Sequence, residues 1–240
     1  MKVREDRGWF RVAAEGGLIV ASILLALALD AWWDGVQQEH RRDELIAELL
    51  LDFETTRTLM AGGISESDSL LVLMDGYFAE ALSHEQTPVD SLKSLINAAF
   101  VPFDFQPALS SYRGASVSGD LRLVRNRELI EAFAEFDLAM GGFEERNRVW
   151  LEWYYMGDVA ALRQELGSIR VVARTGTANR NDIPREFLLS DAAYRQLVHS
   201  RRMYSLVEAS YNFRSALVSR LRQADEAAAR VSEELGKAGI

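Results

Sequence analysis

The sequence predicts an all-α protein: a single N-terminal transmembrane helix that continues into an extracytoplasmic helical bundle with a long C-terminal helix. Three observations carry this. Gly16 to Leu29 contains no charge and is framed by Trp9 and Phe10 before it and Trp32 and Trp33 after it. Only four prolines occur in 240 residues, so few positions forbid helix. Beyond the first stretch, apolar residues recur at steps of three, four or seven, the spacing of one helix face.

The first element is the span. From Trp9 to Trp32 a helix covers about 34 Å at ~1.5 Å per residue, which matches a hydrocarbon core of about 30 Å with indoles at both interfaces. Residues 1–11 form a short tail carrying Lys2, Arg4, Arg7 and Arg11, residues 12–33 the transmembrane helix, and residues 34–240 the main domain. Beyond the span the next basic residues, Arg41 and Arg42, stand among Asp34, Glu39, Asp43 and Glu44. The excess of basic residues before the span places the N-terminus in the cytoplasm and the main domain outside it. The rival reading is a cleaved signal peptide, with Ala26-Leu27-Ala28 as its processing site. Glu15 at the start of the apolar stretch and a helical pattern that runs on through the tryptophans favour a retained anchor.

The span is expected to continue outward as a rigid stalk. No proline and only Gly35 interrupt Asp34 to Met60, where Ile46, Leu49, Leu50 and Phe53 mark one face. Gly62-Gly63 is the expected stop. Ser67 or Asp68 would cap a second helix through about Leu82, with Leu70, Leu71, Leu73, Met74, Tyr77 and Phe78 as its apolar side. Pro88 opens a short helix through Phe100, followed by an irregular aromatic loop from Val101 to Pro107. Residues 108–118 form a short helix closed by Gly119.

Asn126 is the expected N-cap of a helix whose core stripe is Leu129, Phe133, Phe136, Met140, Phe143, Trp150 and Tyr154. Gly141-Gly142 would kink it. Residues 158–166 read as helix, Ile169 to Ala173 as extended, and Gly176 to Pro184 as a polar loop. Ser190 is read as the cap of one last helix to about Leu235, roughly 70 Å at ~1.5 Å per residue. Its seam is Met203, Leu206, Ser210, Phe213, Leu217, Leu221, Ala224, Ala228, Val231 and Leu235. Such a seam serves bundle packing or a coiled coil between subunits.

Charge and composition exclude several functions. The formal charge is -9. Residues 1–30 carry four basic and four acidic side chains, so all of it falls on the remaining 210. An acidic body lacks the basic surface that nucleic acid or anionic lipid would require. Cysteine is absent, which removes disulfides, thiol nucleophiles and Cys-ligated metals. His40, His84 and His199 show no metal-ligand spacing, and no Gly-rich phosphate loop follows a strand. Glu144-Glu145 and Glu233-Glu234 read as solvated helix surface. No cofactor is expected, and the chain reads as non-enzymatic.

Two segments carry a resemblance. Glu15-Gly-Gly-Leu-Ile-Val-Ala-Ser-Ile-Leu-Leu-Ala-Leu-Ala-Leu-Asp-Ala-Trp32, followed by the charged helix Glu39 to Glu54, resembles the N-terminal signature of an uncharacterised bacterial family of single-span membrane proteins. That signature is a Glu, an apolar span with a small residue, Ile-Leu-x-Ala-Leu, a short polar residue and a Trp. Ser111 to Leu129 is similar to the family's mid-chain pattern: a small polar residue and an aromatic, Ser-Gly, an Asn or Asp, then Leu-x-Leu-aliphatic-x-Asn-x-x-Leu. Asp30 and the extra Trp33 depart from the family's more usual amide and single Trp. The resemblance implies a protein of the bacterial inner membrane with one span. It implies no chemistry.

Several residues stand out as candidates. Glu15 is ionisable within a span, a functional feature by default, although Arg11 one turn earlier is placed to pair with it. Gly17, Ala21 and Ala28 offer a small-residue face on which spans of a homo-oligomer could meet. Trp9, Trp32 and Trp33 are interface anchors. Phe100, Phe103 and Phe105 form either a partner-docking loop or a cover for the open end of the bundle. Among Trp150, Trp153, Tyr154 and Tyr155, one face reads as core and Trp153 with Tyr155 as a possible partner surface. Ser118-Gly119-Asp120 and Asn126 read as turn and cap chemistry.

The expected function is binding, sensing or assembly by an extracytoplasmic domain. The expected partners are the bilayer, further copies of the chain, and another membrane protein through which a signal would have to pass. The alternative is an oligomeric membrane effector or small ion channel lined by the N-terminal helices.

Overall fold

The computed structural model describes residues 6–83, 87–103, 105–124, 126–165 and 190–239, with side chains excepted for 6–14, 19, 83 and 163–165. Every regular element among them is helical. In chain order these are α1 (Asp6–Ser83), α2 (Val89–Ala99), α3 (Ser110–Ser118), a 3-10 turn (Asp120–Leu123), α4 (Arg127–Met156), α5 (Asp158–Glu165), α6 (Asp191–Val198) and α7 (Arg201–Ala238). The extended segment expected at Ile169 to Ala173, the loop Gly176 to Pro184 and His84 lie outside the described residues.

α1 is 78 residues long, about 117 Å at ~1.5 Å per residue. It joins the apolar N-terminal stretch to the bundle without interruption. The expected stop at Gly62-Gly63 does not occur, and neither Ser67 nor Asp68 begins a new helix. A glycine in a helix costs only about 1 kcal/mol, and here packing outweighs it. A Cβ on Gly63 would stand 3.4 Å from Phe103 Cζ and 3.6 Å from Leu221, ordinary van der Waals contact, so this face of α1 packs against both side chains. Ser67 is buried against α7 rather than capping anything.

The core is formed where α1, α4 and α7 meet, with α7 packed against both others. α7 runs antiparallel to α1. Arg42 of α1 meets Ala238, Arg57 meets Asp225, Ser67 meets Arg214 and Tyr77 meets Val198. α4 likewise runs opposite to α7, with Glu135 paired to Arg230 and Trp150 beside Phe213. The expected stripe of α4 is buried throughout, from Leu129 to Tyr154, and Gly141-Gly142 lies inside continuous helix. Of the α7 seam every residue is buried except Phe213, which is half-buried. Phe53 anchors the centre, 4.9 Å from Phe136, 5.4 Å from Tyr112 and 5.9 Å from Phe133 by ring centroids.

The single last helix expected from Ser190 is two helices. Ser190 caps α6, accepting from Ala193 N, and Ser200 caps α7, accepting from Met203 N. The break is held by side chains that take up carbonyls left at the end of α6. Tyr77 Oη donates to Val198 O at 2.9 Å, and Ser200 Oγ to Leu197 O at 2.6 Å. A helix end satisfied in this way carries little penalty. Asn126 does cap α4, accepting from Glu128 N at 2.9 Å. Gly119 closes α3 at φ +80°, a left-handed conformation that costs a residue with a Cβ roughly 1 kcal/mol or more.

Candidate functional site

Three features qualify as functional: the apolar stretch of α1, the polar contacts buried in the bundle, and the aromatic residues at its surface. The first is conspicuous because no described residue covers it. Leu18, Val20, Ile23, Leu24, Leu25, Leu27 and Leu29 point to different sides of α1, and each is more than half exposed. The same helix from Ile46 onward buries one face completely, with Leu49, Phe53 and Met60 at 0 % exposure. One helix of the described residues is therefore long and apolar enough to cross a membrane. Trp32 and Trp33 close the stretch as an exposed pair with centroids 6.5 Å apart.

Glu15, Gly17, Ala21 and Ala28 are all exposed, and among the described residues a Cβ on Gly17 would meet nothing within 4 Å outside its own turn of helix. The side chains of Trp9 and Arg11 lie outside the described residues, so the expected Arg11–Glu15 pair does too. Ser22 Oγ donates to Leu18 O one turn earlier at 2.8 Å. Its hydroxyl is thereby satisfied within the helix.

Polar side chains inside the bundle hold backbone. Asp52, 9 % exposed, accepts from the N–H groups of Ser111 and Tyr112 at the start of α3. One turn on, Thr56 Oγ1 accepts from Ala108 N at 3.1 Å. Tyr112 Oη donates to Asp137 at 2.9 Å, and Tyr154 Oη to Phe100 O at 2.8 Å. Thr87 donates to the buried Glu80 carboxylate. Arg214, 1 % exposed, donates to Val101 O and at 3.4 Å to Ser67 Oγ, with its guanidinium 6.0 Å from the Trp150 ring. It ties α7 to α1, to the 101–109 connection and to α4. Burial pushes the Tyr194 phenol up to about 12. It raises Tyr77 further, with Tyr204 adding to the effect, and raises Tyr112 with the Asp137 hydrogen bond adding.

Sequence reading did not single out Asp52, Thr56, Glu80 or Arg214. The signal was present for one of them: Arg214 stands four residues after Ser210 and three before Leu217, in phase with the apolar seam.

The aromatic candidates separate. Phe100 and Phe103 are buried at 1 % and 5 % and Phe105 is half-buried against Phe143. The first two therefore belong to the core, and Phe105 packs against it. Trp150 and Tyr154 are core. Trp153 is half-buried and stacks on Phe213, with centroids 5.7 Å apart and an angle of 18°. Tyr155 is 56 % exposed and Met156 is 85 % exposed, so the end of α4 presents apolar surface to its surroundings.

No group of three or more His, Asp or Glu residues among those described could hold a metal ion. His40 and His199 are both exposed and stand at opposite ends of α7's length, about 55 Å apart at ~1.5 Å per residue. Glu145 pairs with Arg148 and Glu233 with Lys237, each at 2.7 Å on exposed surface. Those contacts lower both carboxyls below their ordinary range. Comparison of the chain with protein-family models, with curated proteins and with solved structures found no match in any of the three.

Proposed function

We propose that this chain is a single-span protein of the bacterial inner membrane, a member of the family its two sequence segments resemble, and that it acts by binding, sensing or assembly through an extracytoplasmic bundle. The observation that carries the reading is the change in α1 along its length. From Gly16 to Leu29 the helix carries no charge, and among the described residues it is uncovered. From Ile46 it is covered on one face by α7, α2 and α3. A helix apolar all round needs either a protein core or lipid, and none of the described residues surrounds it. Basic residues before the span and none immediately after it support a cytoplasmic N-terminus.

An unbroken helix from span to bundle makes the assembly a rigid rod. A contact made on the bundle would tilt or rotate the span as one body, and a membrane partner or a second copy of the chain would read that motion. The Gly17, Ala21 and Ala28 face is where copies would meet. The channel alternative is less well supported. Ser22 is the only polar side chain between Gly16 and Leu29, and its hydroxyl is used within the helix.

The absence of cysteine makes the test clean. A single Leu138→Cys, at a position 80 % exposed, should react with a membrane-impermeant maleimide applied from outside to spheroplasts, while the protein resists carbonate extraction. Reaction only after permeabilisation would reverse the topology. In liposomes, ion flux abolished by Glu15→Ala would favour the channel. Gly17→Leu with Ala21→Leu should lower the mass of the detergent-solubilised oligomer.

A further inference from the structure

The bundle does not begin well clear of the span. A pocket of about 550 Å³ opens directly beyond Trp33, between α1 at Gly35, Glu39 and Arg42, the 3-10 turn and α4 cap at Leu123 and Asn126, and the end of α7 at Ala238. This volume is within the range of small-molecule sites. Along α1, Gly35 lies about 3 Å beyond Trp33 and Arg42 about 13 Å beyond it. The headgroup layer extends roughly 5–8 Å outside the hydrocarbon core. With Trp32 and Trp33 at the interface, Gly35 lies in that layer and Arg42 above it.

Among the described lining residues the charges are of both signs, Glu39 and Arg42. Arg42 Nη2 donates to Ala238 O at 2.8 Å, which uses one of five guanidinium N–H groups. Among the described residues Glu39 forms no ion pair, and Arg42 forms none. The two are three residues apart on one helix yet are not joined to each other. The carbonyl end of α7 adds partial negative charge on the Ala238 side. A ligand of one sign would meet its own charge here. A zwitterion would not.

We infer that this pocket takes the headgroup of a phospholipid bearing a primary ammonium, of the phosphatidylethanolamine class, with its phosphate toward Arg42 and its ammonium toward Glu39. The inference rests on the membrane reading above and adds a ligand to it. It also gives the rod a defined height: a lipid held between stalk, turn and α7 fixes how far the bundle stands from the bilayer.

The test uses full-length protein in mild detergent and native mass spectrometry, with phosphatidylethanolamine, phosphatidylcholine and phosphatidylglycerol of matched chains added in turn. The wild type should retain the ethanolamine lipid best, since the choline group has no N–H to donate. Glu39→Gln leaves every described contact of the fold intact. It should weaken ethanolamine-lipid retention roughly three- to fivefold, the scale of one partly exposed ion pair, and remove the preference over phosphatidylglycerol. Arg42→Gln should weaken both lipids alike, with a thermal melt to verify folding. The same charge change at Glu145→Gln should alter nothing.

Ethanolamine-lipid retention unchanged by Glu39→Gln would overturn the inference while leaving the span in place. Soluble glycerophosphoethanolamine binding as tightly as the lipid would reassign the pocket to a ligand from solution. A protein that is monodisperse without detergent would sink both the pocket and the membrane reading.

Discussion

The Asp52 carboxylate of α1 accepts hydrogen bonds from Ser111 N at 2.7 Å and from Tyr112 N at 3.1 Å, with both partners at the first turn of α3. α3 has no capping side chain of its own, because Leu109 occupies its N-cap position. The cap is therefore supplied from a residue 59 positions earlier in the chain. A carboxylate at a helix N-terminus satisfies unpaired donors and meets the positive end of the helix dipole.

Asp52→Ala should cost about 1–2 kcal/mol, the range for loss of an N-cap. Asp52→Asn should cost less, since an amide oxygen still accepts. Denaturant unfolding of the full-length protein in detergent, followed by circular dichroism, measures both. Equal losses for the two variants would mean that the negative charge, not the capping geometry, is what matters.

Tyr154→Phe removes a buried hydroxyl from Phe100 O, a contact of 2.8 Å. The carbonyl left behind is that of Phe100 itself, a residue 1 % exposed. The expected loss is about 1–2 kcal/mol, most of it the cost of an unsatisfied buried acceptor. A thermal melt resolves this against Tyr155→Phe, whose exposed position should leave stability unchanged.

Alkali should unfold the bundle. Tyr194 is raised from 10.0 to about 12 in the folded chain, and Tyr77 and Tyr112 are also raised. Each phenol binds its proton more tightly folded than unfolded, so the unfolded state loses protons first as pH rises. Stability from this source is complete below pH 10 and falls above it, for Tyr194 until about pH 12. The two-unit shift corresponds to roughly 2–3 kcal/mol. Tyr194→Phe should reduce the slope of stability between these limits, measured by denaturant titration at stepped pH.

Leu25→Arg places a charge midway between Gly16 and Trp33. Insertion of such a residue at the centre of a span costs about 2.5–3.5 kcal/mol. The variant should lose membrane association in fractionated cells while Leu138→Arg, on the bundle, does not. Full retention of Leu25→Arg in the carbonate-resistant fraction would count against a lipid environment for this stretch.

Much of the fold was legible in the primary structure because its signals are local. The stripe Leu129 to Tyr154, the caps Asn126 and Ser190, the close at Gly119 and the seam of α7 each depend on residues within a few turns of one another. The failures share a cause. Gly62-Gly63 reads as a stop until Phe103, forty residues on, and Leu221 are found packed against this stretch of α1. Ser200 reads as an interior helix residue until Tyr77 is found to take up the carbonyl that the break releases.

The functional features divide along the same line. By itself the sequence determined the all-helical class and the one apolar helix with its framing tryptophans, because periodicity and hydropathy belong to contiguous residues. Only the tertiary structure decided that Phe100 and Phe103 are core, that Asp52 and Arg214 tie distant backbone together, and that Glu39 and Arg42 share a pocket with the end of α7. Those outcomes depend on which segments meet across 50 to 200 residues. Pairing at that range is settled by the packing of whole helices: the local phase of Arg214 marks its burial, but not its partners.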